Sequence, residues 1–360
     1  MRNHNHIAFF VPSLNIGGVE SVFLSYTLML TNRGYDVDLV VCKPEGSLMD
    51  KVPPGVNLVH FNGIKLRKVM PYLRRYLHES DVSTLICGPD ITNFIAIMVN
   101  LSLCKRHSVN LIVTQHSVLD NDTKDLGLLG HLIPLGKRLL YRFASHVVAV
   151  SDAVAKDLEQ CGVPKRKIAT IYNPINIAEI ERFANEPVAI ELPVNYLAFV
   201  GRLNSVKNVG LLIRAFELLE ENELYLVIVG DGAMRCQWEK LAQQGAKHDR
   251  IIFTGSLSNP AFVIRGACAI AVPSFSEAFP MVVIEAAALG KTIAHTPNVG
   301  CVEILGNDCG YCSNGFNDPD DFANTLRKAL KQPIEPERIR KIALALDESK
   351  IIPQLETLMQ

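Results

Sequence analysis

The stretch 269–290, AIAVPSFSEAFPMVVIEAAALG, limits what this chain can fold into, because nearly all of it must leave water. AIAVP reads as a buried parallel strand, SFSEAF as the loop leaving its carboxyl end, and Pro280 as the first residue of a helix ending at Gly290. From Met281 to Leu289 that helix is apolar except at Glu285. A helix apolar all round packs between other elements, so a layered α/β protein is expected. Two carboxylates interrupt the apolar run. A buried carboxylate without a partner is costly, so Glu285 is expected to have hydroxyls or a cation waiting for it. Glu277 sits on the loop, at the edge where doubly wound sheets bind ligands, and the amide-rich helix start points at the same place. The plain alternative is a salt bridge in a core or a solvated face.

The same strand-then-helix rhythm runs through the chain. Residues 6–14 read as a strand, 15–18 as a turn and 19–33 as a helix that stops at Gly34. The adjacent Gly17 and Gly18 let backbone approach a ligand at that helix start, with Glu20 in its first turn; a simple tight turn explains them equally well. Further strands are expected at 36–42, 56–61, 82–88 and 111–116, with an apolar helix over 91–103. His116 ends its strand at the carboxyl edge, where a lone histidine is ordinarily a hydrogen-bonded loop residue. Residues 146–175 read as strand, helix capped by Ser151 or Asp152, turn and strand, and 178–193 as a linker.

A second doubly wound unit follows, with strands at 196–200, 224–229, 251–255 and 291–295. The loop GRLNSVKNVG after its first strand holds Arg202 and Lys207, a planar fork and a point charge, ahead of a helix over 210–220. Two such cations on a Gly-containing loop suit a pyrophosphate; either alone reads as ordinary solvated charge. Trp238, in a helix running to Gln244, reads as core packing.

Composition narrows the class. With 360 residues the chain is long enough for two domains, and 48% hydrophobic against 20% charged residues excludes a disordered chain. No apolar run approaches a membrane span and the start lacks a cleavable leader pattern, so a cytoplasmic protein is expected. The nine cysteines form no framework, and the Cys309–Cys312 pair lacks the second pair or histidines a zinc site needs, so no metal is expected. Residues 1–175 are basic and the remainder acidic, an imbalance too small for nucleic acid but suited to an anionic membrane surface. Residues 64–78, IKLRKVMPYLRRYLH, are basic and amphipathic, though interrupted by Pro71. They read as a helix covering the sheet or as a membrane-docking face, which Lys105, Arg106, Lys137 and Arg138 would extend. Asp36 and Asp38 form a DxD at a strand's amino end, away from the ligand edge, and read as a solvated strand start.

Strand, Pro-Ser, Glu277, seven residues, Glu285 and a helix ending in glycine resembles the signature of the retaining GT-B glycosyltransferases of family 4. GRL…KN, VGDG, FTG and the VS-led helix before Tyr172-Asn173-Pro174 extend the likeness over nearly the whole chain. Ala278 stands where that family often has glycine, and Pro280 has no amide to donate. The resemblance implies a GT-B architecture: two facing Rossmann-like doubly wound domains with a central cleft. Residues 1–175 would bind the acceptor, 176–345 the nucleotide-sugar, and 346–360 would form a terminal helix crossing back, a match that Pro353 weakens.

It further implies that Glu285 binds the donor ribose, that Glu277 and His116 face the transferred sugar, and that Arg202 and Lys207 stabilise the leaving diphosphate in place of a metal. Gly17, Gly18, Gly201 and Gly230 would lie near the phosphates, Gly255, Ser256 and Leu257 would frame the base, and the backbone of Ala278, Phe279 and Pro280 would meet the sugar. Glu303 resembles a recurrent acidic residue of the family, and the loop 120–130 is long enough to move over an acceptor. The expected reaction is transfer of a hexose or N-acetylhexosamine from a nucleotide-sugar, read as a UDP-sugar, to a saccharide acceptor, with retention and no required cofactor. The acceptor would be lipid-linked, at the inner face of the plasma membrane, in assembly of a bacterial lipopolysaccharide, capsule or exopolysaccharide. The alternatives are an inactive glycan- or membrane-binding subunit, a nucleotide-sugar epimerase and a phosphorylase.

Overall fold

The computed structural model describes residues 3–15, 17–117, 128–186 and 190–360. It divides into two compact units: residues 1–174 with 348–360, and residues 175–347.

The first unit is built on a seven-stranded sheet in the order β3-β2-β1-β4-β5-β6-β7. Its strands are β1 (Asn3–Val11), β2 (Asp36–Val41), β3 (Asn57–His60), β4 (Val82–Cys87), β5 (Asn110–Gln115), β6 (His146–Ala149) and β7 (Ile168–Thr170). All pairings are parallel, and Ile7 to Val11 are fully buried, as a sheet covered on both faces requires. The order turns back between β1 and β4. The loop after β1, which leads to Gly17 and Gly18, therefore opens at the switch point.

The second unit has a six-stranded sheet in the order β10-β9-β8-β11-β12-β13. Its strands are β8 (Tyr196–Val200), β9 (Tyr225–Val229), β10 (Ile251–Gly255), β11 (Ala269–Val272), β12 (Ile293–His295) and β13 (Tyr311–Cys312). Strand alternation divides its core. Leu197, Phe199, Leu226 and Ile228 pack on one face with Trp238 and Phe322, while Tyr196, Ala198, Val227 and Val229 pack on the other with Val283 and Ala286. Here the switch point lies between β8 and β11, so the loops 201–208 and 273–280 share the ligand-binding edge.

Several expectations need correction. Pro71 does not interrupt a helix; its fixed φ suits the first turn of the helix Met70–Glu79, which it helps start. That helix buries Leu73 and Leu77 in the core, so the apolar face needed for membrane docking is already used. Lys137 is fully buried with its Nζ 3.0 Å from Asp90 Oδ2, and cannot extend a surface patch. Asp38 is no solvated strand start: it is buried and accepts from Asn57 Nδ2 at 2.9 Å and Tyr76 OH at 2.5 Å. The expected linker contains the helix Ile177–Asn185, capped where Glu179 N donates to Asn176 Oδ1. Of the two cap candidates at 151 and 152, Ser151 caps, accepting from Val154 N. Pro280 is the N-cap of the helix Met281–Ala288 rather than its first residue. Most of the expected loop 120–130 lies outside the described residues.

Among the described residues no helix is long and apolar enough to cross a membrane, and no three His, Cys, Asp or Glu side chains could hold one metal ion.

Candidate active site

In the second unit the site starts from two adjacent strand ends. Val200 pairs with Val229, which sets Gly201 beside Gly230. Gly201 N donates to Val229 O, Leu203 N to Asp231 O and Met234 N to Leu203 O, at 3.0, 2.8 and 2.9 Å, lacing the loop after β8 to the loop after β9. Gly230 has φ +136°, and a Cβ there would sit 1.9 Å from Gly201 O. Only glycine fits. Asn204 then caps a short turn by accepting from Lys207 N at 3.2 Å, and Asn208 takes the left-handed conformation at φ 49° with its Nδ2 donating to Phe316 O. This sequence of turns aims Lys207 across the switch point.

What it meets comes from β11. Phe275 N donates to Val206 O at 2.8 Å, tying the two loops together. Lys207 Nζ lies 2.5 Å from Glu277 Oε1, and Ser274 Oγ donates to the same oxygen at 2.6 Å. Their side chains are only 22% and 12% exposed, so this is a largely desolvated pair whose hydrogen bonds offset much of its desolvation cost. Ser274 was missed at the sequence level, although its spacing three residues ahead of Glu277 in PSFSE was legible. Gly300 was missed too: its N donates to Glu277 O, and a Cβ there would meet that oxygen at 2.6 Å and Pro280 Cδ at 2.8 Å. Arg202 is exposed on the same loop as Lys207.

Glu285 departs from expectation. Neither hydroxyls nor a cation wait for it: among the described residues its carboxylate has no hydrogen-bond or ion-pair partner, and desolvation pushes it up to about 7. The sign for stability follows. Below the unfolded-chain value of 4.5 the group is protonated in both states; between 4.5 and about 7 only the unfolded chain releases its proton. Stability therefore falls as pH rises through that window, by about 2–3 kcal/mol. Melting curves at pH 5 and pH 8 are expected to show this loss in the wild type and a smaller one in Glu285→Gln; equal losses would mean that the carboxyl is not desolvated.

Gly255 has φ +74° and its O accepts from Gly230 N at 2.9 Å, so the base-site expectation at Gly255, Ser256 and Leu257 falls on the next loop along the same edge. Ser256 is exposed, Leu257 packs against the core, and Phe279 is buried. Glu303 lies on the helix Val299–Leu305.

In the first unit Gly17 is the extended N-cap of the helix Gly18–Asn32, and a Cβ at Gly18 would meet nothing within 4 Å. Packing does not demand that glycine, so its position is open to an incoming group. His116 Nε2 lies 2.9 Å from Thr114 Oγ1, whose own hydroxyl donates to Cys87 O at 3.0 Å. Thr114 therefore accepts from His116 Nε2–H, leaving Nδ1 as an acceptor. Desolvation beside Phe23, whose ring centroid is 5.9 Å away, pushes the imidazole down to about 4, so it is neutral at physiological pH. Gly88, unremarked in the sequence, makes this possible, because a Cβ there would lie 2.6 Å from Thr114 Oγ1.

The model for "Glycosyl transferases group 1" matches residues 182–345 and that for "Glycosyltransferase Family 4" residues 16–179. A Campylobacter jejuni protein, N-acetylgalactosamine-N,N'-diacetylbacillosaminyl-diphospho-undecaprenol 4-alpha-N-acetylgalactosaminyltransferase, is 25% identical over 93% of this chain and 92% of its own. Among solved structures, Anabaena HepE in complex with UDP and glucose superposes with a TM-score of 0.77 at 17% identity over 98% of both chains. WaaG, described as a glycosyltransferase involved in lipopolysaccharide biosynthesis, gives 0.74 at 16% identity over 98% of this chain and 99% of its own.

Proposed function

This chain belongs to the glycosyl transferases of group 1, with the GT-B fold and a family 4 amino-terminal half, and from that premise we propose that it transfers a hexose or N-acetylhexosamine from a UDP-sugar to a lipid-linked saccharide with retention of configuration. The observation that carries this reading is the Lys207–Glu277 pair at the β8/β11 switch point, followed by the partnerless Glu285. A nucleoside diphosphate supplies what these groups lack. Its phosphates take Lys207 and Arg202, which frees Glu277 to hold a sugar hydroxyl beside Ser274. Its ribose hydroxyls donate to Glu285, and binding strengthens as that carboxyl ionises above pH 7.

In the reaction the acceptor hydroxyl oxygen bonds to the anomeric carbon as the bond from that carbon to the phosphate oxygen breaks. The diphosphate leaves with the electron pair and accepts the hydroxyl proton on the same face, its growing charge met by Arg202 and Lys207. Neutral His116 accepts a hydroxyl hydrogen bond at Nδ1 and orients the sugar. The acceptor assignment draws on the Campylobacter relative, whose name specifies a diphospho-undecaprenol substrate, and the UDP assignment on HepE, solved with UDP. The first unit would hold the acceptor, in assembly of a surface polysaccharide.

The test is thermal stabilisation against a panel of nucleoside diphosphates and their sugars. UDP at 100 times its dissociation constant is expected to add about 2.7 kcal/mol to the folded state. Glu285→Ala and Lys207→Ala should each lose most of that response, and an inverted product anomer would rule out the retaining mechanism. If no nucleotide shifts the melting curve, a binding subunit of the same fold becomes the better reading.

A further inference from the structure

Two helices of the first unit turn polar side chains inward and leave large apolar ones exposed. In Asp90–Ser102 the buried face carries Asp90, Thr92 and Asn93 beside Ala96, Ile97 and Val99, while Ile91, Met98 and Leu101 are 53%, 47% and 55% exposed. In Leu128–Leu140 the charged Lys137 is fully buried, and Leu135 and Leu139 are 49% and 48% exposed; Phe143, just beyond, is 51% exposed. A water-facing helix has the opposite pattern. The inward polar side chains hold one another: Lys137 pairs with Asp90, Tyr141 OH donates to Asp90 Oδ1 at 2.8 Å, and Asn93 Nδ2 donates to Tyr141 OH at 2.9 Å. Buried polar groups paired in this way fix which face of each helix turns outward.

The two apolar stripes form one surface. A Cβ at Gly136 would lie 2.8 Å from the Phe94 ring, so that ring lies across the second helix and bridges the stripes. Lys105, Arg106, Arg138 and Arg142, in or just after the two helices, are all exposed. No Asp or Glu occurs in 91–119 or in 126–151; Asp120, Asp122 and Asp125 stand between these stretches, outside the described residues. A contiguous exposed apolar face marks an interaction site, and exposed cations beside it favour a surface of negative charge.

We propose that this face docks on an anionic lipid bilayer, with the exposed aliphatic and aromatic side chains entering the interface and the four cations meeting headgroup charge. The docking face is thus not the basic segment 64–78, whose apolar side is spent on the core. It gives the lipid-linked acceptor of the proposed function a physical location and rests on that reading for its purpose, while the binding itself needs neither donor nor acceptor.

The full chain is therefore sedimented with vesicles of phosphatidylcholine, with and without phosphatidylglycerol. Binding to the anionic vesicles should be about tenfold or more tighter and should weaken with salt. Met98→Asp with Leu139→Asp should lower it by about tenfold or more, because charge is costly at an interfacial apolar face. Arg138→Glu with Arg142→Glu should abolish the preference for phosphatidylglycerol; it alters only exposed side chains and tests the same face if the aspartates disturb the fold, which circular dichroism would reveal. Absence of vesicle binding, equal binding to both compositions, or variants that bind as the wild type does would overturn the proposal. So would a concentration-dependent dimer that Met98→Asp with Leu139→Asp dissolves, since a second copy would then cover the face. A nucleotide response without vesicle binding would leave the donor chemistry standing.

Discussion

Lys207→Ala is expected to lower kcat by about 10²–10³-fold, the loss typical when one preorganised group facing a developing negative charge is removed. Lys207 is not a mobile surface lysine: Asn204 caps its turn, the next residue, Asn208, takes the left-handed conformation, and Glu277 fixes its Nζ. That preorganisation makes its removal expensive in the transition state. Truncation leaves Glu277 with Ser274 Oγ and no cation from this pair, so the melting temperature should fall as well, though less than removing a fully buried partner would cost. The separating measurement is steady-state kinetics beside a melting curve. A kcat within about threefold of wild type would remove Lys207 from leaving-group stabilisation, since that corresponds to less than about 1 kcal/mol. Glu277→Gln keeps the shape and should retain Lys207 geometry better than Glu277→Ala does.

Gly230→Ala is expected to be the most damaging single methyl in the second unit. The added Cβ would lie 1.9 Å from Gly201 O, a backbone atom that cannot rotate away, and φ +136° strains any residue with a Cβ. Strain and overpacking at about 1–3 kcal/mol each sum to about 2–6 kcal/mol. Differential scanning calorimetry should show a loss of roughly 5–20 °C in the transition of this unit. Relief can come only by parting the loops after β8 and β9, which carries Lys207 away from Glu277. The nucleotide response should therefore disappear together with stability. A variant that melts normally and still binds UDP would show that these loops are not held as described.

The sheets were legible because their strands are short apolar runs bounded by turn residues, and the order of strand and helix follows from that pattern. Pro71 was misread because proline is penalised inside a helix and favoured at its first turn, and one sequence position decides between the two. The helix Ile177–Asn185 was hidden by its acidic, proline-flanked composition, although Asn176 three residues ahead of Glu179 was a cap signal in plain view. In the site, residues within one segment could be found, such as Glu277 and Glu285. Partners brought from elsewhere could not: Lys207 meets Glu277 across 70 positions, and Lys137 meets Asp90 from another helix. Sequence proximity gives no sign of such pairs. For the same reason the sequence shows Asp90–Ser102 only as an apolar helix, since apolar composition does not say which way a helix is turned.

The grouping of residues 348–360 with residues 1–174 also sets an order of events on the ribosome. Ile351, Ile352 and Leu355 are buried, Arg33 Nη1 lies 3.2 Å from Glu356 Oε2, and Asn110 Nδ2 donates to Leu358 O at 2.7 Å. The sheet synthesised first is thus finished by residues that emerge only after the whole of 175–347, a wait on the order of ten to thirty seconds at common elongation rates. The later-made unit, contiguous in sequence, can close before the earlier one. During that interval the nascent first unit exposes the surface that Ile352 and Leu355 will cover, so emergence of 348–360, rather than translation of its own strands, completes it.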